Sequence, residues 1–157
     1  PIMGVIYVPV KEELYFAMEG LGSYKISWNS TIEDLEDLIS NSDKLPIDYN
    51  RINYVIVGSR SHMSAETKEF FEDKKKEHGN VEVMAVGSSL KLCMVAEGKA
   101  DAYPRYAPTM EWDTGAGDAI CRMAGFQVLQ YNTDKSVEYN KENLLNPWFL
   151  VKLTNEN

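Results

Sequence analysis

The sequence predicts an α/β protein in which a short antiparallel sheet precedes an α/β layered domain. Segments of strand character at Ile2–Val8, Glu13–Met18 and Ser23–Trp28 follow one another with only short turns between them, as in an antiparallel meander. From Ile52 onward, strand and helix patterns alternate, which is typical of helices packed on the faces of a sheet. A chain of 157 residues is long enough to bury a core of this kind.

Between these two parts, the sequence predicts a helix and a polar connection. Ile32, Leu35 and Leu38 recur at helical spacing within Ser30–Ser40, whereas Asn41–Asn50 is polar and contains a proline. The chain is therefore divided into strands of the antiparallel sheet at residues 1–28, a connecting segment at 29–50 and an α/β domain at 51–157.

The second half shows five strand patterns and three helix patterns. The strands are predicted at Tyr54–Val57, Val81–Val86, Ala100–Tyr103, Phe126–Leu129 and Trp148–Leu153, and the helices at Ser64–His78, Ser88–Glu97 and Asp113–Ala124. Ser64 is suited to cap its helix, and the lysines 74–76 lie in the last turn of that helix, before Gly79. Basic side chains are favourable at a helix C-terminus, so this lysine run indicates a solvated helix end rather than a nucleic-acid patch.

Composition excludes some classes of function. The formal net charge of −8 argues against a general nucleic-acid binder, which would present a basic face. An acidic protein can still bind a phosphorylated small molecule when divalent cations supply positive charge locally. Cys93 and Cys121 form no C-x-x-C pair and are predicted to be buried, reduced thiols of a cytoplasmic protein. No apolar run reaches the length of a membrane-spanning helix.

The residues with the clearest chemical character lie in the second half. Ser88, Lys91 and Arg105 come shortly before Asp113, and together they offer a hydroxyl, an amine, a guanidinium and a carboxylate. These groups can hold a phosphate ester beside a metal ion.

Asp113 has two interpretations, and the residues leave both open. Aspartate is among the best helix N-caps, so Asp113 could cap the helix that it is predicted to begin. Gly115 and Gly117 follow it closely, and each costs roughly 1 kcal/mol relative to alanine within a helix. This cost indicates that a ligand or another chain segment approaches the backbone closely there.

The other candidates also have ordinary structural interpretations. Lys91 could extend from the edge of an apolar helix, and Arg105 could lie in an exposed loop after its strand. Ser88 and Ser89, which follow Gly87, could cap a helix. His62 lies in a loop between a strand and a helix, where α/β proteins often bind ligands, but a single histidine is more often an ordinary polar residue.

Five segments in order resemble the 3'(2'),5'-bisphosphate nucleotidases of the inositol monophosphatase superfamily, over the C-terminal portion of that family. The segments are GVIYVPV at 4–10, GSRSH at 58–62, GSSLKLCMVAEGKADAYPR at 87–105, PTMEWDTGAGDAI at 108–120 and YNKENLLNPWFLV at 139–151. The resemblance implies the C-terminal α/β layered domain of an inositol monophosphatase-like sandwich, with a remnant of its antiparallel N-terminal sheet.

The resemblance also implies roles for individual residues. Asp113 would be a catalytic residue that ligates a metal and lies against the substrate. The residues implied to hold the nucleotide or its second phosphate are Gly87, Ser88, Ser89, Lys91 and Arg105, and Ser59 and His62 would border the nucleoside. Trp112 and Met110 are expected to pack rather than bind.

The function implied is magnesium-dependent hydrolysis of adenosine 3',5'-bisphosphate to AMP and phosphate, in sulfur assimilation or nucleotide salvage. The location implied is the cytoplasm, with a peripheral position at the inner face of the membrane left open. Members of the family carry an upstream acidic pair and a D-P-L-D-G-T motif, and neither occurs in this sequence. The other Mg²⁺ ligands are therefore expected in a missing N-terminal part, and the chain alone is expected to be inactive or nearly so.

Two other interpretations remain open. The chain could be a fragment of an inositol monophosphatase-type enzyme, which would share Asp113 but would not need Gly87, Ser88, Ser89 and Lys91. It could instead be a non-catalytic nucleotide-binding or interaction module. An exposed strand at residues 2–8 could then support a dimer or complementation by a separate N-terminal piece.

Overall fold

A computed structural model describes residues 1–27, 31–47, 49–58 and 63–154 and places them in two β-sheets with helices between and outside them. The first sheet is antiparallel, with the strand order β1-β2-β3-β4. Its strands are β1 (Met3–Val8), β2 (Glu13–Met18), β3 (Gly22–Ser27) and β4 (Asp43–Lys44). The predicted meander is therefore present, and a fourth strand joins it from the segment that was expected to be a connection.

The second sheet is mixed, with the order β6-β5-β7-β9-β8. Its strands are β5 (Tyr54–Val57), β6 (Val81–Met84), β7 (Ala102–Arg105), β8 (Phe126–Gln130) and β9 (Phe149–Leu153). The strands β6, β5 and β7 are parallel, whereas β9 is antiparallel to both of its neighbours. The alternation predicted from Ile52 onward thus gives a sheet with helices on its two faces.

The helices form layers around these sheets. They are α1 (Leu35–Ser40), α2 (Ala65–His78), α3 (Leu90–Ala96) and α4 (Glu111–Met123). Helix α4 packs against β1, β2 and β3, and α3 packs on α4 and on β5, β7 and β9. The main hydrophobic core therefore lies in this central helical layer, between the two sheets. Among the described residues, no helix is long and apolar enough to cross a membrane.

The outer layers are smaller. Helix α2 covers the second sheet through Phe71 and Phe70, which pack with Tyr54 and Ile56. Helix α1 covers the part of the first sheet formed by β2 and β3. Its Leu38 and Ile39 side chains pack against a small apolar cluster of Phe16, Tyr24 and Ile26.

The outer face of β1 is not covered by α1. Met3, Val5 and Tyr7 point to this face and are exposed, at 58%, 55% and 47%. They lie opposite Met18, Phe16 and Leu14 of β2 in the antiparallel register. In the described part of the chain, β1 is also an outer strand of its sheet. An apolar surface, formed by Met3, Val5, Tyr7 and Met18, thus lies beside an unpaired strand edge.

Helix ends were the least well predicted features. The helix predicted at Ser30–Ser40 begins only at Leu35, because the Asp34 side chain accepts a hydrogen bond from the Asp37 N–H and caps it there. The Ser64 cap of α2 is confirmed, since Ser64 Oγ accepts from the Thr67 N–H at 3.2 Å.

The predicted start of α4 at Asp113 was wrong. The helix begins at Glu111, and Met110 occupies the N-cap position. Asp113 lies at the third helical position, where its Oδ2 accepts a hydrogen bond from the Met110 N–H at 2.9 Å. Asp113 therefore stabilises the first turn from within the helix rather than from its cap.

Gly117 allows α3 and α4 to pack closely. A methyl group added at Gly117 would lie 2.8 Å from Leu92 Cβ and 3.1 Å from Leu92 Cγ, which is too close for normal contact. A methyl group at Gly115 would instead lie 3.6 Å from the Tyr139 ring, which is an ordinary contact. Of the two explanations for these glycines, a close approach by another chain segment therefore accounts for Gly117.

We expect Gly117→Ala and Gly115→Ala to change stability in opposite directions. Overpacking against Leu92 costs about 1–3 kcal/mol, whereas alanine gains roughly 1 kcal/mol of helix propensity at either position. Gly117→Ala should therefore lower the free energy of unfolding in urea and Gly115→Ala should raise it. Equal effects of the two substitutions would contradict the packing seen at Leu92.

Candidate functional site

A polar cavity of about 470 Å³ lies where α3, the end of β7 and the first turn of α4 meet. Each element contributes side chains because its end opens onto this cavity. The lining residues with polar or aromatic side chains are Ser88, Ser89, Lys91, Tyr103, Arg105, Thr109, Trp112, Asp113 and Thr114. The structure thus brings together Ser88, Ser89, Lys91, Arg105 and Asp113 from the predicted set.

Lys91 and Arg105 form a cationic pair on one wall of the cavity. Lys91 Nζ lies 5.9 Å from the centroid of the Tyr103 ring. Burial and, secondarily, the neighbouring charge of Arg105 lower the pKa of Lys91. No carboxylate forms an ion pair with either side chain among the described residues. The pair therefore carries positive charge that the described part of the chain does not neutralise by direct contact.

Arg105 is held at one end of its guanidinium. One terminal nitrogen donates to the Pro108 carbonyl at 3.1 Å. The Nε atom is buried and has no hydrogen-bond partner within residues 1–27, 31–47, 49–58 and 63–154. A buried donor without a partner is costly, so an acceptor such as a phosphate oxygen would stabilise this arrangement.

The serines before α3 do not cap it with their side chains. Ser89 occupies the N-cap position, as the capping interpretation expected, but its side chain makes no capping hydrogen bond. Ser88 adopts a left-handed conformation with φ of 51°, which turns the chain sharply after Gly87. Gly87 is exposed but is not among the residues that line the cavity. The hydroxyls of Ser88 and Ser89 therefore remain available to a ligand.

Two further expectations concern residues beside this cavity. Trp112 was expected to pack, but its side chain is 69% exposed and lines the cavity, so that prediction was wrong. It lies at the second position of α4, where the helix surface faces outward. Ser59 and His62 lie outside the described residues.

A buried network behind Asp113 had no counterpart in the sequence reasoning. Asn146 is buried, and its side-chain N–H groups donate to Thr114 Oγ1 and to the Met110 carbonyl, both at 2.9 Å. Tyr139 also donates to Thr114 Oγ1, at 3.1 Å. Both residues belong to the motif at 139–151, to which the sequence analysis assigned no site residue. The network fixes the helix turn that carries Asp113.

Asp113 can supply one oxygen ligand to a metal ion. Its side chain is exposed to the cavity, and only one of its oxygens accepts a hydrogen bond from the described part of the chain. No group of three acidic, histidine or cysteine side chains that could hold a metal occurs among the described residues. Mg²⁺ is commonly held by one or two carboxylates, phosphate oxygens and water, and Asp113 fits one place in such a set.

A larger cavity of about 610 Å³ lies at the opposite end of the second sheet. Its most polar pair is already satisfied, because Arg51 forms two hydrogen bonds to Asp101, at 2.6 and 2.8 Å. The smaller cavity is the better candidate site because it combines an unneutralised cationic pair with a carboxylate.

Comparisons with known proteins agree with this fold. The inositol monophosphatase family profile matches residues 1–154. The chain is 38% identical to the 3'(2'),5'-bisphosphate nucleotidase CysQ of Shigella flexneri and 36% identical to that of Escherichia coli K12, over 154 residues each. These alignments include 98% of this chain and 55% of each relative. The chain thus spans about half the length of the curated relatives it matches.

Solved structures confirm the predicted fold class. The crystal structure of CysQ from Bacteroides thetaiotaomicron, a bacterial member of the inositol monophosphatase family, matches with a TM-score of 0.91 and 53% identity, over 99% of this chain and 59% of that one. Inositol monophosphatase II from Staphylococcus aureus MSSA476 matches with a TM-score of 0.65 and 20% identity, over 98% and 52% of the two chains, and shows a shared fold. The chain therefore belongs to the inositol monophosphatase family.

Proposed function

We propose that this chain is the nucleotide-binding part of a magnesium-dependent phosphatase that hydrolyses adenosine 3',5'-bisphosphate to AMP and phosphate. The observation that carries this proposal is the pair of Lys91 and Arg105, which have no anionic ion-pair partner among the described residues and lie in the same cavity as Asp113. The similarity to CysQ nucleotidases supports the substrate class.

In this proposal Lys91 and Arg105 bind the phosphate that is not cleaved. An ammonium and a guanidinium form charge-assisted hydrogen bonds to phosphate oxygens, and the unpartnered Arg105 Nε would gain an acceptor. Ser88 and Ser89 would donate hydroxyl hydrogen bonds to the nucleotide, with Gly87 contributing the turn. Ser59 and His62 would border the nucleoside. A ligand with a single phosphate at the reacting position would leave the cationic pair unused, so this pair would select bisphosphates.

Asp113 would act at the other end of the substrate. It would hold Mg²⁺ with one carboxylate oxygen while its other oxygen keeps the hydrogen bond to the Met110 N–H. When bound, Mg²⁺ supplies Lewis-acid stabilisation of phosphate charge and an activated water. The remaining ligands would come from a further polypeptide segment, and the two cysteines, both buried and unpaired, support a reducing compartment such as the cytoplasm.

We also propose that the apolar surface beside β1 contacts this further segment. Met3, Val5 and Tyr7 expose apolar side chains beside an outer strand that carries no charged residue. Strands of this kind pair readily with another chain. The division into residues 1–28, 29–50 and 51–157 remains our proposed domain description. Residues 1–28 supply three of the four strands of the sheet that a partner would extend along β1. A second copy of this chain is the alternative partner for this surface.

Lys91→Ala provides the direct test of the proposed site. We expect it to weaken binding of adenosine 3',5'-bisphosphate by about 10- to 100-fold, because a hydrogen bond to a charged group contributes about 1.5–3 kcal/mol. Binding of adenosine 3'-monophosphate, which lacks the second phosphate, should change little. The measurement is isothermal titration calorimetry of the 157-residue chain with Mg²⁺.

Lys76→Ala is the matched control because it removes one positive charge from an exposed part of α2. It should leave both affinities unchanged. If Lys91→Ala lost affinity equally for the two nucleotides, the result would favour an inositol monophosphatase-type site, which binds only one phosphate. Failure of the unmodified chain to bind either nucleotide would reject the proposed site.

A further inference from the structure

A buried carboxylate, Glu97, lies at the end of α3 that is remote from the cavity. It is 1% exposed and follows the last residue of the helix. Its side chain accepts three hydrogen bonds, which come from Tyr15 Oη at 2.8 Å, Lys25 Nζ at 3.0 Å and Tyr49 Oη at 2.5 Å. It also forms an ion pair with Lys99 Nζ at 2.7 Å. We call these five residues the Glu97 cluster.

The Glu97 cluster joins three separate parts of the fold. Tyr15 and Lys25 come from β2 and β3 of the first sheet, and Tyr49 comes from the segment that crosses between the sheets. The backbone adds a fourth connection, because the Ile47 N–H donates to the Glu97 carbonyl at 2.9 Å. The C-terminal end of α3 is therefore fixed to the first sheet and to the crossing segment at once.

The opposite end of α3 is held by apolar packing of Leu92 against Gly117 of α4, without an ionic anchor of this kind. Ser89 makes no side-chain capping hydrogen bond, and Lys91 touches only the Tyr103 ring among the interactions of the described residues. The helix is two turns long, so Lys91 and Glu97 are separated by roughly 9 Å along its axis at 1.5 Å per residue. A rigid helix of this length transmits a displacement of one end to the other.

Charge balance makes Glu97 the centre of this anchor. Lys25 also pairs with Glu13 at 2.8 Å, so two carboxylates and two ammonium groups alternate around the junction. A neutral side chain at position 97 would leave Lys25 and Lys99 without their shared buried partner. Lys25 would keep its pair with Glu13, but Lys99 would move toward solvent, and the end of α3 would lose its ionic anchor.

We propose that Glu97 is a positioning residue for Lys91. By anchoring α3 to the first sheet, Glu97 sets the distance between the Lys91 ammonium and a phosphate in the cavity. This proposal rests on the proposed function of the cavity. It assigns a role in nucleotide selection to a residue that does not touch the nucleotide. It also means that the order of the first sheet affects the cavity, because Tyr15 and Lys25 belong to that sheet.

A double-mutant cycle tests the proposal. Glu97→Gln is combined with Lys91→Ala in the 157-residue chain, and the dissociation constants for adenosine 3',5'-bisphosphate and adenosine 3'-monophosphate are measured with Mg²⁺. Tyr49→Phe is the second variant, since it removes one donor from a tyrosine that is 38% exposed and leaves every charge in place. Circular dichroism melting confirms that each variant is folded, and Tyr49→Phe decides the result if Glu97→Gln does not fold.

We expect Glu97→Gln to weaken binding of the bisphosphate by roughly three- to tenfold, with a smaller effect in the same direction for Tyr49→Phe. Binding of the monophosphate should stay unchanged. In the Lys91→Ala background, neither substitution should cause a further loss, because Lys91 is the group through which Glu97 acts.

Other outcomes separate this proposal from the proposed function. Equal weakening of both nucleotides, or an equal loss with and without Lys91, would mean a general structural role for Glu97 and would overturn the positioning proposal. A Lys91→Ala variant that binds both nucleotides normally would instead overturn the proposed role of the cavity.

Discussion

The purified 157-residue chain is expected to release phosphate from adenosine 3',5'-bisphosphate at less than roughly a thousandth of the rate reached when a complementing segment is added. Asp113 is the only carboxylate that lines the cavity in the described part of the chain. Metal ions stabilise the transferred phosphoryl group by several kcal/mol, and each 1.36 kcal/mol changes the rate tenfold. The complementing segment would be the part of the Bacteroides thetaiotaomicron relative that this chain does not match.

Two substitutions serve as controls for the gain of activity that the complementing segment should cause. Asp113→Asn should abolish it without preventing assembly, because it removes the proposed metal ligand. Val5→Asp should prevent assembly, because it places a charge on the apolar surface beside β1. Full activity of the chain alone would contradict the proposal. Another acidic residue would then have to act, although Glu97, Asp101 and Glu111 are all held in ion pairs.

Acid should destabilise the chain through Glu97. Burial alone would raise the pKa of Glu97, but hydrogen bonds from Lys99, Tyr49, Lys25 and Tyr15 outweigh burial and lower this pKa to about 2. The ordinary pKa of a glutamate is about 4.3, so the ionised form is favoured by folding. The ionised Glu97 contributes about 3 kcal/mol to the free energy of unfolding. This contribution is fully present above the pKa of Glu97 in the unfolded chain, and it is lost as the pH falls through the pKa in the folded chain.

Urea unfolding of Glu97→Gln across pH provides the measurement. The free energy of unfolding of the variant should be about 3 kcal/mol lower than that of the original chain at pH 7. The two values should converge as the pH falls through 2, where Glu97 becomes protonated in the folded chain. Glu72→Gln, on the exposed surface of α2, is the control and should stay within about 0.5 kcal/mol of the original chain. A difference that does not vary with pH would mean that lost packing, rather than charge, causes the effect.

Local sequence patterns predicted the strands better than the helix ends. The strands Glu13–Met18 and Tyr54–Val57 have the bounds that alternation and apolar runs indicated. The helix ends depended on which polar side chain reached a free backbone N–H. Asp34 caps α1 at Leu35, and Asp113 accepts from the Met110 N–H from a position within α4. Residue spacing does not indicate which of these hydrogen bonds forms. Strand β4 has only two residues, too few for a recognisable pattern.

The candidate site was predicted in part for a similar reason. Lys91, Arg105 and Asp113 lie within 22 positions of one another, in two neighbouring motifs, so their chemistry was visible together. Contacts between segments that are distant in the sequence were not visible in this way. Tyr15 and Glu97 are 82 positions apart, and Asn146 and Thr114 are 32 apart, yet each pair forms a buried hydrogen bond. The exposure of Trp112 also depended on tertiary packing rather than on its hydrophobicity.

The cationic pair in the cavity has a consequence for the solution around the protein. Burial and the charge of Arg105 lower the pKa of Lys91, which means that holding two cations together in the free cavity is electrostatically unfavourable. A small dianion would relieve that repulsion, so sulfate or inorganic phosphate in a buffer should compete with a nucleotide for the proposed site. Ionic strength and the identity of the buffer anion should therefore change the apparent affinity of this cavity for a nucleotide.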